Sequence, residues 1–142
     1  MTNFVGILSQ GLRIAPPEAP SSGYLYGKGV YFADMAKKSS YYCYPVNNIA
    51  LILLGEVSLG EEDKRTSFDF NLPSTLKKKA NSIHALGRLE ASDGEYIDDN
   101  VYVPNGDTIY NENSLGCNDF AEYIVYDVNQ IKLRYLLKIR YG

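Results

Sequence analysis

Residues 122–140, EYIVYDVNQIKLRYLLKIR, contain the clearest periodic pattern in the chain. From Glu122 to Val128 most residues are β-branched or aromatic, and from Ile131 to Arg140 apolar and polar side chains largely alternate. Alternation at period two is typical of a strand with one buried face. The stretch therefore predicts two strands, separated by a turn at Asn129-Gln130.

A second strand signal lies further towards the N-terminus, at Ile49 to Val57. Its sequence, IALILLGEV, is a near-continuous apolar run that Gly60 closes, as in a strand buried on both faces. We expect the centre of the core here. Residues 58–118 are rich in Gly, Asp, Asn, Lys and Pro and predict loops and short extended pieces, with a weak strand signal near Tyr102-Val103.

The N-terminal third predicts a short helix, a long loop, a strand and a second helix. Phe4 to Gln10 can start a helix, but the glycines and prolines between Gly11 and Gly29 break it. Gly29 to Ala33 predicts a short strand. Asp34 then stands where an N-cap would begin a helix from Met35 to Tyr44, which Pro45 ends.

The composition fits one modest domain, 1–142, with an α+β fold of mainly antiparallel strands and few short helices. The 142 residues include 14 Lys and Arg and 17 Asp and Glu, a formal net charge of −3, so direct binding of nucleic acid is not expected. No apolar run is long enough to span a membrane, and a signal peptide is lacking. We expect a cytosolic or nuclear protein that is not secreted and has no membrane partner. Cys43 and Cys117 are expected to be reduced thiols.

Four residues suggest a ligand pocket. Ser39 and Tyr42 are three apart and share one helix face, so a flat amide-bearing ring would fit between the hydroxyl and the aromatic plane. Tyr31 offers a second aromatic wall. Glu122 opens a strand of almost entirely apolar and aromatic residues, where a carboxylate is either solvated or used. Spacing alone does not distinguish this pocket from an ordinary helix face, a core aromatic residue and a solvated charge.

Four long strings carry a family resemblance: TNFVGILSQGLRIAPPEAP, GYLYGKGVYFADMAKKSSYYC, LILLGEVSLG and EYIVYDVNQIKLRYLLKIR. In this order they closely resemble the catalytic domain of the poly(ADP-ribose) polymerases, in particular the DNA-damage-dependent branch. Residues 61–118 match loosely, around SIHALG. The resemblance implies an ADP-ribosyltransferase-like fold and transfer of ADP-ribose from NAD to protein acceptors, with release of nicotinamide and without a metal. It also implies a nuclear protein of DNA repair.

The resemblance also assigns roles to individual residues. Tyr31, in GKGVYFAD, and Glu122, in AEYIVYD, match the tyrosine and the glutamate of the family's His-Tyr-Glu catalytic signature. Tyr42 matches the second tyrosine that stacks on nicotinamide, and Ser39 matches the hydroxyl that bonds its carboxamide. A carboxylate at Glu122 suits the chemistry, because cleavage of an N-glycosidic bond passes through an oxocarbenium-like state.

The remaining NAD contacts are assigned to the loop and the N-terminus. Gly11 to Gly29 resembles the family's donor-site loop, in which Arg13 would meet the adenosine and phosphate end of NAD and Gly29 would contribute to the site. Asn3 would lie near the adenosine.

The signature histidine of the family belongs to an HGS or HGT string upstream of the TNF match, and this chain begins at Met1-Thr2-Asn3. We therefore expect an N-terminally truncated domain with an exposed sheet edge, covered by a second copy as a homodimer or by a partner. Besides the enzyme, a catalytically inactive remnant that acts as a binding module is the alternative. His84 is expected to be exposed and without a role, and Lys77-Lys78-Lys79 to be a solvated cluster or a nuclear targeting run.

Overall fold

The computed structural model describes residues 2–20, 22–98, 100–112, 114 and 116–142. Within these ranges most strand pairs are antiparallel, which confirms the predicted α+β class. The elements are α1 (Thr2–Gln10), β1 (Val30–Phe32), α2 (Ala36–Ser40), β2 (Ile49–Val57), β3 (Glu62–Arg65), β4 (Ser82–Ala85), β5 (Gly87–Ala91), β6 (Glu95–Ile97), β7 (Val101–Val103), β8 (Thr108–Tyr110), β9 (Asn118–Phe120), β10 (Glu122–Val125), a 3₁₀ turn (Val128–Gln130) and β11 (Ile131–Arg140).

The hydrophobic core lies on a four-stranded sheet with the order β1-β10-β4-β3. Strand β10 is antiparallel to both β1 and β4, and β3 runs parallel to β4. Ile124 of β10 and Ile83 of β4 are register partners, and both are fully buried with Tyr26 in one cluster. Because alternate residues of a strand share a face, Glu122 lies on the same face of β10 as Ile124.

Strand β2 has the predicted bounds, Ile49–Val57, but it is not the centre of the core. Among the described residues it pairs only with β11, in a two-stranded sheet with a bulge between Leu133 and Tyr135. Ala50 is buried, whereas Leu54 is half exposed. The expectation of a strand buried on both faces is wrong, because a strand with one neighbour in its sheet has few side chains around it.

The middle of the chain contains far more strand than we expected. Strands β3 to β8 and the first residue of β9 lie within residues 58–118, and the weak signal near Tyr102-Val103 marks β7. Strand β5 joins β8 and β9 in a three-stranded sheet, and β6 pairs with β7. The expected short extended pieces are thus paired strands of three to five residues. Strands β6 and β7 form a local pair, whereas β3 and β9 depend on pairing with strands from other parts of the chain.

Helix α2 is shorter than predicted. It ends at Ser40, and bonds from the N–H of Tyr42 to the carbonyl of Ser39 and from Cys43 to Ser40, both 3.1 Å, continue the chain as tighter turns. The predicted N-cap, Asp34, is wrong, since Met35 holds that position without a side-chain cap. The Asp34 carboxylate instead accepts a hydrogen bond from the Tyr123 hydroxyl at 3.4 Å.

A buried carboxylate fixes the segment after β3. Asp63 is fully buried, and its carboxylate forms ion pairs with an Arg65 guanidinium nitrogen at 2.7 Å and with Lys77 Nζ at 2.8 Å. Burial alone raises the pKa of Asp63, but the hydrogen bonds from Arg65 and Lys77 outweigh burial and hold the pKa below its ordinary value. Lys77 therefore has a structural partner, unlike a purely solvated lysine.

Two further expectations concern the cysteines and membrane spans. Cys43 and Cys117 are free thiols, as predicted. Across the described ranges, no helix has both the length and the apolar character that crossing a bilayer requires.

Candidate active site

A small pocket of about 60 Å³ lies where the end of β1, helix α2 and the start of β10 meet. It contains four of the seven site residues predicted from the sequence. A larger cleft, of about 400 Å³, between α1 and β11 is lined mainly by aliphatic side chains and contains no carboxylate. The small pocket is therefore the better candidate for chemistry. Its walls are Tyr31, Phe32, Ala33, Lys38, Ser39, Tyr42 and Glu122.

Glu122 is a buried carboxylate with one lysine partner. Glu122 is 6% exposed, and its Oε1 lies 2.9 Å from Lys38 Nζ. Burial lowers the pKa of the Lys38 ammonium, but the hydrogen bond and the charge of Glu122 outweigh burial and raise it. Lys38 Nζ also lies 5.8 Å from the centre of the Tyr42 ring. Lys38 thus links the carboxylate to the aromatic wall of the pocket.

Tyr31 contributes its ring to the pocket, whereas its hydroxyl bonds the backbone behind it. The hydroxyl donates to the Gly27 carbonyl at 2.7 Å and accepts from the Tyr26 N–H at 2.9 Å. Burial, more than any other influence, raises the pKa of Tyr31. Because the hydroxyl is occupied and stays protonated, Tyr31 can orient a flat ligand but is poorly suited to proton transfer.

Ser39 and Tyr42 form the helix side of the pocket. The hydrogen bond from the Tyr42 N–H to the Ser39 carbonyl closes a turn that brings the two side chains to the same wall, as their spacing predicted. Tyr42 is 70% exposed, so one face of its ring is open to a ligand. No described residue forms a hydrogen bond with the Ser39 hydroxyl. An aromatic face and a free hydroxyl are therefore both available at this wall.

The other three predicted residues do not line this pocket. Arg13 is exposed in the loop after α1. Gly29 packs against β10, where a Cβ would meet Ile124 Cγ2 at 2.6 Å and the Val125 carbonyl at 2.9 Å. Close packing on β10 therefore requires glycine at position 29. Asn3 belongs to α1, and its side chain lies outside the part of the chain that the structure describes.

Lys28 holds the proline-rich loop in place. Its Nζ donates to the carbonyls of Pro16 at 2.8 Å, Pro17 at 2.6 Å and Ala19 at 2.5 Å. These bonds join the loop that contains Arg13 to the segment that enters β1. The loop is thus fixed relative to the pocket by one lysine side chain.

His84 lies on β4, the neighbour of the strand that carries Glu122. The expectation that it is exposed is wrong, since its side chain is only 16% exposed. Its ring stacks on Tyr123 with centroids 4.4 Å apart, and its Nδ1 is 2.7 Å from Glu62. Burial lowers the pKa of His84, and Glu62 opposes this shift. The polar sequence around His84 hid this position, because β4 becomes buried only when β3 and β10 pair with it.

This arrangement can bind a flat aromatic amide and stabilise positive charge beside it. Two tyrosine rings can hold the ring, the Ser39 hydroxyl can bond the amide, and the Glu122 carboxylate lies next to them. Among the described residues, no cluster of three or more His, Cys, Asp or Glu side chains has a metal-binding arrangement.

The chain matches the family model "Poly(ADP-ribose) polymerase catalytic domain" over residues 1–141. The chain belongs to this family. It is 50% identical to poly [ADP-ribose] polymerase 1 of Gallus gallus over 150 aligned residues, which cover 99% of this chain and 14% of the relative. It is 50% identical to poly [ADP-ribose] polymerase 1 of Danio rerio, with the same two coverages.

The chain is also similar to a plant relative. Poly [ADP-ribose] polymerase 2 of Arabidopsis thaliana is 44% identical over 146 residues, which cover 100% of this chain and 23% of the relative. The chain therefore spans less than a quarter of the length of these relatives.

Sequence reasoning missed two lysines: Lys38, which pairs with Glu122 in the pocket, and Lys28, which anchors the loop before β1. Lys38 stands in a run of two lysines, a pattern more typical of a solvated helix face. Lys28 lies between two glycines, and nothing local indicates that its side chain bonds carbonyls about ten residues earlier. The only available signal was the match of the whole strings MAKKSSYYC and YGKGVYF to the family.

Proposed function

We propose that this chain is part of an NAD-dependent ADP-ribosyltransferase that uses the pocket of Tyr31, Ser39, Tyr42 and Glu122. The observation that carries the proposal is a buried carboxylate beside two tyrosine rings and a free hydroxyl. The nicotinamide ring of NAD fits these groups, because its two faces can stack on tyrosine and its carboxamide can bond a hydroxyl. Membership of the poly(ADP-ribose) polymerase catalytic-domain family supports this substrate.

In the proposed reaction, the bond between the nicotinamide nitrogen and C1 of the ribose breaks, and its electron pair leaves with neutral nicotinamide. An oxygen of the acceptor then bonds to C1 and loses its proton. The ribose passes through a positively charged state, which the Glu122 carboxylate stabilises electrostatically. Tyr31 and Tyr42 hold the leaving group, so their contribution is orientation.

Lys38 holds the Glu122 carboxylate in place. A carboxylate that is 6% exposed needs a cation or several donors nearby, since burial disfavours its charge. Lys38 Nζ, at 2.9 Å, provides that cation. It acts through Glu122 and is therefore a positioning residue.

The loop after α1 is proposed to hold the other end of NAD. Arg13 is exposed and has a fixed positive charge that suits the diphosphate. Lys28 fixes the loop through three carbonyls, and Asn3 and Gly29 stay candidates for this end of the site. Transfer to protein acceptors, extension into poly(ADP-ribose) and a nuclear location in DNA repair are further parts of the proposal, supported by the family.

The test replaces Glu122 with Gln in the longest natural polypeptide that contains this chain. The substitution keeps the shape of the side chain and removes its charge. We expect transfer of ADP-ribose from radiolabelled NAD to fall by about 100-fold or more, a loss of roughly 3 kcal/mol in transition-state stabilisation. The matched control is Glu61→Gln, because Glu61 is exposed and lies outside the pocket.

Transfer at the parental rate by the Glu122→Gln protein would contradict the proposed role. If the parent protein binds NAD but releases neither nicotinamide nor ADP-ribose, the binding-module alternative is correct and the enzyme proposal is wrong.

A further inference from the structure

Residues 87–98 and 100–110 form a β arm that starts beside the pocket. Strand β5 pairs with β8, and the ladder continues through bonds from the Ser92 N–H to the Asp107 carbonyl, 2.8 Å, and from the Gly106 N–H to the Asp93 carbonyl, 3.0 Å. Strands β6 and β7 then form the outer end. The arm is therefore one antiparallel ribbon.

The outer end of the arm presents two tyrosine rings to solvent. Tyr96 and Tyr102 are register partners, so their side chains share a face, and their ring centroids are 5.3 Å apart. They are 71% and 51% exposed. A Cβ at Gly94 would meet Tyr102 Cζ at 2.5 Å, so glycine makes room for this ring. The pair is an ordered aromatic surface that no other described element covers.

Beyond Arg88 at its base, the arm carries only negatively charged side chains in its sequence. No Lys or Arg occurs between Leu89 and Ile131. No carboxylate that the structure describes in residues 89–112 takes part in an ion pair, so their charge is uncompensated. The acidic residues of this stretch are Glu90, Asp93, Glu95, Asp98, Asp99, Asp107 and Glu112.

Tyrosine faces and carboxylates together select for lysine and arginine. The ring face attracts a cation, and nearby carboxylates pair with it. The same charge repels the phosphates of a nucleic acid. A basic protein segment is therefore the partner whose chemistry fits the arm.

The base of the arm lies next to the strand that leads into Glu122. Leu89 of β5 is the register partner of Phe120 in β9, two residues before Glu122. The Tyr41 ring packs on Phe120 with centroids 6.2 Å apart, which joins this base to the end of α2. A segment bound along the arm would thus reach the pocket.

We propose that the arm docks a lysine- or arginine-rich segment of the protein that is to be modified and directs it to the pocket; this inference rests on the proposed function. The affinity comes from Tyr96, Tyr102 and the surrounding carboxylates. The arm then determines which acceptors are used, while the pocket carries out the transfer.

The direct test measures binding of a fluorescent peptide of lysine, glycine and serine to the protein by anisotropy, without NAD. We expect Tyr96→Ser and Asp98→Asn together to weaken binding about five-fold or more. Asn is chosen because Asp98 has a φ of 47°, which Asn tolerates. The control is Tyr135→Ser, an exposed tyrosine on β11, which should bind the peptide like the parent.

Equal affinity of the double variant and the parent would overturn the proposal. Equal binding of a peptide in which glutamate replaces lysine would also overturn it. So would sedimentation runs in which the protein self-associates through the arm, because the arm surface would then be covered by a second copy. Raising NaCl from about 0.05 to 0.5 M should weaken parental binding, because exposed charges are screened.

A second readout separates this inference from the proposed function. Hydrolysis of NAD by water needs the pocket but no acceptor, so the arm variant should keep the parental hydrolysis rate and show a raised KM for the peptide. If the parent does not cleave NAD, the proposed function fails, while the anisotropy result still reports on the arm alone. A raised hydrolytic KM for NAD in the arm variant would overturn the docking role.

Discussion

Glu122 has one cationic neighbour among the described residues, Lys38 at 2.9 Å. Replacing Lys38 with Met keeps the aliphatic stem and removes the cation that pairs with the carboxylate. We expect transferase activity at pH 7 to fall about ten-fold or more, because the buried carboxylate loses its ion-pair partner. The measurement is the rate of nicotinamide release at pH 7.

Lys37→Met is the matched control for this prediction. Lys37 is the preceding residue, and its Nζ lies 5.9 Å from the Phe120 ring, with no ion pair to Glu122. An unchanged rate in the Lys38→Met protein, or the same loss in both variants, would show that Lys38 does not position Glu122.

Asp63 makes the stability of the fold depend on pH. Its pKa is held below the ordinary 3.8, chiefly by Arg65 and Lys77 against the effect of burial. A group with a lowered folded pKa stabilises the protein fully above its unfolded pKa and loses this effect as the pH falls through the folded value. Asp63→Asn should therefore cost about 2–4 kcal/mol at pH 7 and progressively less below pH 3.8.

Urea unfolding of both proteins at pH values from about 7 to 2.5 measures this difference. A cost that is the same at every pH would mean that the charge of Asp63 contributes nothing and that only the shape of the side chain matters.

Among the elements, the loop after α1 is held at three of its carbonyls by one side chain, that of Lys28. Lys28→Met removes the three hydrogen bonds to Pro16, Pro17 and Ala19. We expect faster amide hydrogen exchange in residues 11–20. The melting temperature should change by less than about 3 °C, because the loop lies outside the core. The control is Lys132→Met, an exposed lysine on β11. Unchanged exchange in the Lys28 variant would contradict this account of the loop.

The sequence predicted those elements whose own residues determine them. Strand β2 has the predicted bounds because its apolar run ends at polar residues on both sides. Between β2 and β10 only β7 had a local strand signal, since sequences such as EDKR in β3 and NDF in β9 have little strand character and form through tertiary pairing. Helix α2 is shorter than predicted mainly at its C-terminal end, where the chain continues from Ser40 in tighter turns. The expected N-cap Asp34 instead bonds Tyr123, from a distant strand.

The pocket was predictable to a similar degree. The spacing of Ser39 and Tyr42 placed them together from local sequence alone. Tyr31 and Glu122 are 91 positions apart, and their meeting depends on the pairing of β1 with β10, so spacing left it open and the family resemblance favoured it. Lys38 was missed because its partner lies on that distant strand.

At the scale of the whole molecule, the hydrophobic core and the candidate site lie on the same sheet. The four-stranded sheet holds the buried core, and the first residue of its β10 is Glu122. The two-stranded sheet of β2 and β11 instead exposes Leu54, Leu136 and Leu137. Coverage of this sheet by a second copy or a partner stays a prediction, which these exposed leucines motivate.

The central claim is that Tyr31, Ser39, Tyr42 and Glu122 form a nicotinamide pocket, and thermal melting tests it most directly. A ligand that binds only the folded state at ten times its Kd adds about 1.4 kcal/mol, or roughly 3–6 °C in Tm. We predict such a rise with millimolar nicotinamide, its loss in Tyr42→Ala and its retention in Tyr44→Ala, which changes a tyrosine that is 91% exposed. A parent protein that melts cooperatively with no shift, or equal shifts in both variants, would contradict the claim.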